Sequence, residues 1–146
     1  MTAQPSSTAR PVPGDPGGPG ASHAPVAVRA VVVSAVIDAA LVVVFAAIGR
    51  ASHGEDVLGG LVITAWPFLA ALALGWLIAL AWRAPDAPVR TGLPVWAVTV
   101  AGGMLLRAAS GQGVQVAFVV VAAIVLLLFL VGRRAVARLI RRARRP

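Results

Sequence analysis

The sequence predicts an all-α fold of the integral-membrane kind: a four-helix bundle with a disordered N-terminal tail and a basic amphipathic C-terminal segment. Three observations lead there. Of 146 residues, 59% are hydrophobic and the mean hydropathy is +0.88, too apolar for a small domain with a wet surface. Four apolar stretches are each long enough to cross a hydrocarbon core of about 30 Å at about 1.5 Å per residue. Finally, a chain this short keeps no amphipathic helices in reserve to cover four buried ones, so lipid is what they must face.

Residues 1–25 hold six Pro and four Gly and almost no large apolar side chains. Such a composition cannot offset the entropy of ordering, so a disordered tail is expected. It lacks the basic start and adjoining apolar run of a signal peptide, and the N-terminus is expected to be retained.

A four-span domain is expected over 26–134. The first span, about 30–49, is interrupted only by Ser34 and Asp38. The second, about 57–82, carries no charge and should tilt or bend at Pro67, where a backbone donor is lost. The third, about 92–109, has Arg107 near its end, and the fourth, about 114–132, has Gln115 as its one strongly polar side chain. Within lipid such segments must be helical, because an open strand leaves backbone groups unsatisfied. Small side chains should mediate helix contact, since lipid tails give apolar residues no reason to cluster. Ala71, Gly75 and Ala79 offer such a face, as do Ala97 with Ala101 and Thr99 with Gly103.

Residues 135–146 form an Arg-rich tail. All 13 basic residues are Arg, and seven fall within 133–146. Val136, Leu139, Ile140 and Ala143 recur at helical spacing among them, which predicts a basic amphipathic helix on the cytoplasmic leaflet that attracts anionic lipids. A topology role explains these charges without nucleic acid, which is not an expected partner. The remaining arginines set the orientation. Arg10, Arg29, Arg83, Arg90 and the seven C-terminal arginines share one side, and only Arg50 and Arg107 the other. A multi-pass protein of the cell membrane with both termini in the cytoplasm follows, with Trp82 and Trp96 as interfacial anchors. A homo-oligomer is compatible with all of this.

Asp38 carries the most chemical information. A carboxylate near the middle of a span costs about 2.5–3.5 kcal/mol on insertion scales, so it must face the bundle interior, with Ser34 one turn away on the same face. It is either a proton-carrying or cation-binding group or an acid that hydrogen-bonds another helix. Arg107 is the candidate partner by charge, although its depth favours snorkelling outward. The two outer loops bring together Arg50, His53, Glu55, Asp56, Arg107 and Gln112, which form either a shallow site for an anion or lipid headgroup or ordinary helix-ending turns. One His with two acids falls short of a zinc site. With no Cys, no phosphate loop and no nucleophile placed beside His53, neither cofactor nor catalytic residue is assigned.

Asp38 followed by FAAIGRASH (45–53), WPFLA (66–70), WRAP (82–85), GMLLR (103–107) and SGQG (110–113) resembles an uncharacterised family of bacterial membrane proteins, domain of unknown function 3054. The likeness covers roughly residues 30–134, and the Gly49-Arg50, Ser52-His53 and Arg107, Ser110–Gly113 elements are its most specific parts. It implies four helices and a membrane location, and brings no activity or site residues with it. The leading expectation is a small transport-related or ligand-binding bundle using Asp38. A non-catalytic accessory or structural subunit ranks second and a membrane enzyme acting on lipid third.

Overall fold

The computed structural model describes residues 28–54 and 56–144. The expected tail at 1–25 and the candidate residue Glu55 lie outside them. Four helices long and apolar enough to cross a membrane make up the fold, and there is no strand among the described residues.

Helix α1, Val28–Ser52, buries Ser34, Asp38, Val42, Phe45 and Ala46, a stripe at spacings of mostly four residues that repeats the helical period. Asp56 caps α2, Val57–Ile78, by accepting the Leu58 N–H at 3.1 Å, which satisfies one of the donors a helix start leaves open. Pro67 sits inside α2 and is buried. Two residues past its end Leu80 adopts φ 46°; glycine usually fills this left-handed position because a Cβ crowds the following carbonyl. A short 3₁₀ turn at Ala81–Arg83 and a π turn at Pro88–Gly92 lead into α3, Leu93–Ala109.

Helix α4, Val116–Leu127, continues through a π turn at Leu128–Gly132 into α5, Arg133–Ala143, as one span of 28 residues. At about 1.5 Å per residue this rod is about 42 Å long, enough for the hydrocarbon core and both headgroup layers. The basic segment therefore continues the helix of the fourth span without a break. Val136, Leu139 and Ile140 stay exposed on it.

Small residues decide how closely the helices approach. A Cβ on Gly103 would run into the Phe68 ring, and one on Gly75 would sit 3.1 Å from the Val95 carbonyl. The Ala71/Gly75 and Thr99/Gly103 faces accordingly meet where α2 packs on α3. Ala97 and Ala101 do not take part, contrary to expectation: both are exposed. The buried residues of α3 are Val95, Thr99, Gly103 and Met104, and positions 97 and 101 lie on the other side of the turn. The core between the helices is built from Val42, Phe45, Phe68, Leu72, Val95, Ala122, Leu126 and Leu130.

The bundle has two chemically distinct ends. The terminal end carries Val28, the 79–92 connection and α5. The opposite end carries the turns after α1 and α3.

Candidate functional site

The terminal end is organised around Asp38, which has no exposed surface. Arg134, also fully buried, donates from Nη1 to Oδ1 at 3.1 Å and from Nη2 to Oδ2 at 2.6 Å. Arg133 donates from Nε to Oδ1 at 2.6 Å and from Nη2 to the Ser34 hydroxyl at 2.7 Å. Trp76 on α2 donates its indole N–H to Oδ2 at 3.0 Å. Bidentate guanidinium pairing of this kind is among the strongest hydrogen bonding available to a carboxylate. It also explains how an acid is tolerated in a span. Arg134 is held further, since its Nε reaches the Pro85 carbonyl at 2.8 Å and its Nη1 the Leu130 carbonyl at 2.6 Å. Asp86 lies 3.9 Å from Arg133 and pairs with Arg141 at 2.8 Å, so the network ties α1, α2, the 79–92 connection and α5 together.

This arrangement fulfils the expectation that Asp38 faces inward with Ser34 beside it. It differs in the partner. Arg107 is at the opposite end, and the groups that hold Asp38 are two arginines that read in the sequence as the start of a topology-setting tail.

At the opposite end, Arg50 on α1 donates from Nε and Nη2 to the Asp56 carbonyl at 2.8 and 2.6 Å and from Nη1 to Thr64 at 3.1 Å. Gly60 is buried directly beneath, and a Cβ there would collide with the Arg50 guanidinium. Arg107 on α3 donates to the Gln112 side-chain oxygen at 3.0 Å and to its carbonyl at 3.3 Å. Gly111 and Gly113, at φ 71° and 74°, let the chain double back so that Gln112 reaches it, a conformation that costs glycine little. The Arg107 guanidinium also lies 4.6 Å from the centre of the Phe118 ring, within cation–π range. It is thus anchored within the bundle end.

These residues enclose a cavity of about 290 Å³. Arg50, His53, Thr64, Arg107, Gln112 and Gln115 form its polar lining, and Phe45, Ala46 and Phe118 its apolar one. All four spans contribute. The structure therefore gathers Arg50, His53, Arg107 and Gln112 at one cavity. The Asp56 carboxylate, committed to the α2 cap, is not among the lining residues. Below the cavity, Phe45 meets Phe68 edge-on at 5.3 Å and Phe118 at 6.1 Å. No group of three or more His, Cys, Asp or Glu able to hold a metal occurs among the described residues.

Sequence reasoning missed Arg133, Arg134 and Trp76. The signal for the first two was present, since a lone buried acid requires a cation and Arg133 directly follows the fourth expected span. Trp76 carried a weaker one, an indole N–H that needs a partner away from the interface. Trp96, expected as an anchor, uses its indole N–H to bind the Ala123 carbonyl at 2.9 Å and so joins α3 to α4.

Fold and sites together define a multi-pass helical bundle of the membrane type, with a buried ion-pair network near one end and an arginine-lined cavity at the other. The family model described as Protein of unknown function (DUF3054) matches residues 35–137, and the chain belongs to that family. No curated protein and no solved structure matches it.

Proposed function

We propose that this protein is a transport-related membrane bundle that binds a small organic anion in the cavity between Arg50 and Arg107. The observation that carries this reading is the placement of two arginines from different helices at one cavity with a hydrogen-bonding rim and an aromatic wall. Pockets that bind small molecules combine a mostly apolar wall with a few placed polar groups. The cavity volume of about 290 Å³ equals about ten water volumes of ~30 Å³, more than a halide or inorganic phosphate fills. A single acidic group on a small ring or short chain matches it: the acid faces the arginines and the apolar part lies against Phe45 and Phe118. The Asp38 oxygens are occupied by three partners, which argues against Asp38 as an open cation site in this conformation.

Arginine placement supports an orientation with both termini in the cytoplasm of a cell whose plasma membrane holds the protein, because basic flanks resist translocation. The cavity then opens outward, and Arg138, Arg141 and Arg142 on α5 stand at the depth of anionic headgroups on the inner leaflet.

Benzenesulfonate, which is permanently anionic, is the probe. It should raise the thermal midpoint of the detergent-solubilised chain, whereas uncharged benzyl alcohol should not, and Arg107→Gln should lose most of the shift. A phospholipid headgroup as the true occupant would show instead as stoichiometric bound phosphorus that benzenesulfonate fails to displace. Absence of any shift in the wild type would reject the anion reading. The saturated Asp38 network is also what a purely structural subunit would build, and that second reading would then lead.

A further inference from the structure

The spans α1 to α4 contain one acid, Asp38; the ionisable residues besides it are Arg29 and Arg50 on α1 and Arg107 on α3. Its oxygens receive both Nη groups of Arg134, the Arg133 Nε and the Trp76 indole. Nothing in this geometry is particular to aspartate. Paired guanidinium groups and an indole N–H would hold any carboxylate or sulfonate in the same way.

The charges are unequal. Two buried or mostly buried cations face one buried anion, and the second acid in reach, Asp86, is 36% exposed and held by Arg141. Around Asp38, α1 offers the Ser34 hydroxyl and α2 the Trp76 indole, α5 supplies Arg133 and Arg134, and α3 and α4 bring no titratable side chain to this end. If Asp38 left the arginines as a charged group it would stand unpaired in a dry interior, at a steep cost. If it left protonated while another anion took its place, the network would keep the same net charge.

The cavity lined by Arg50 and Arg107, read above as an anion site, lies at the other end of the same bundle. Arg50 and Asp38 are 12 residues apart on α1, a rise of about 18 Å. The packed core lies between the two positions, with Phe45 and Phe118 in the cavity wall, Phe68 fully buried behind them and Val42 buried on α1 between Phe45 and Asp38. Passage of a solute between the two positions requires these packed side chains to move.

We propose that Arg133 and Arg134 form a second anion station, held at rest by the chain's own Asp38 carboxylate, and that an organic anion from the Arg50/Arg107 cavity displaces Asp38 as Asp38 takes up one proton from water. The inference rests on the anion-binding reading above. One anion and one proton move together, so the exchange is electroneutral at the buried site. The protein is then a proton-coupled carrier of small organic acids, with Asp38 both the proton carrier and the internal competitor of the solute.

The test uses the full chain in proteoliposomes loaded with a fluorescent pH indicator. An inward gradient of benzenesulfonate, which cannot itself carry a proton, should acidify the lumen, and protein-free vesicles should show no such change. Asp38→Asn should abolish acidification while the benzenesulfonate-dependent thermal shift persists. A wild-type chain that binds benzenesulfonate in the thermal assay yet moves no protons would overturn the inference and leave the anion cavity standing. Failure of binding itself would remove both. Because the decisive reading is on the wild type, poor folding of the Asp38 variant does not blunt it.

Discussion

Arg134 chelates the carboxylate of Asp38, 96 positions earlier in the chain, with both of its terminal nitrogens, and neither residue has any exposed surface. The pair joins the first span to the end of the fourth. Burying two charges is expensive, but removing one partner is worse, because it strands the other. Asp38→Asn and Arg134→Met should each destabilise the bundle by about 3–5 kcal/mol. The double variant should lose less than the sum, with a coupling of about 0.5–3 kcal/mol in a double-mutant cycle read by reversible unfolding in detergent.

The neighbouring Asp86–Arg141 pair makes a contrast. Its distance is similarly short, 2.8 Å, but the side chains are 36% and 55% exposed. Water screens such pairs and side-chain entropy opposes them, so Arg141→Ala should change stability by no more than about 1 kcal/mol in the same unfolding assay.

Close helix approach at Gly103 gives a steric prediction. Gly103→Ala places a methyl group against the Phe68 ring, in a core that cannot expand freely, and should cost about 1–3 kcal/mol. Ala101→Leu, two positions away but exposed, should be tolerated within about 0.5 kcal/mol. Equal losses at the two sites would mean that the α2–α3 register is wrong.

Leu80 holds a left-handed conformation at φ 46° in the connection that delivers the Pro85 carbonyl to Arg134. Strain of this type costs about 1–3 kcal/mol for a residue with a Cβ. Leu80→Gly should therefore raise the thermal midpoint, a gain of about 1 kcal/mol after the extra chain entropy of glycine.

Much of the fold could be read from the residues because hydropathy and length alone specify spans in lipid. Pro67 and the Arg107–Gly113 turn fell inside and between helices as expected, and Asp38 with Ser34 faced inward because an acid has nowhere else to go. The partner of Asp38 was not legible for two reasons. Arginines at the end of a span look the same whether they fix topology or fold back, and the π turn at Leu128–Gly132, which precedes both of them, has no sequence signature. The small-residue faces were ambiguous in the same way: composition suggested two on α3, and only packing selected Thr99/Gly103 over Ala97/Ala101. At the opposite end, helix order already placed Arg50, His53, Arg107 and Gln112 together, but their enclosure of a cavity needed the side-chain geometry.

The most direct test of the anion cavity exploits the absence of native cysteine. His53, exposed at the cavity lining, is replaced in His53→Cys, and intact cells are treated with a membrane-impermeant thiol reagent with and without benzenesulfonate. Labelling from outside that benzenesulfonate slows, with protection lost when Arg107→Gln is added, is the predicted result. Labelling that proceeds at the same rate in its presence, or that requires permeabilised cells, would contradict an outward-facing anion site.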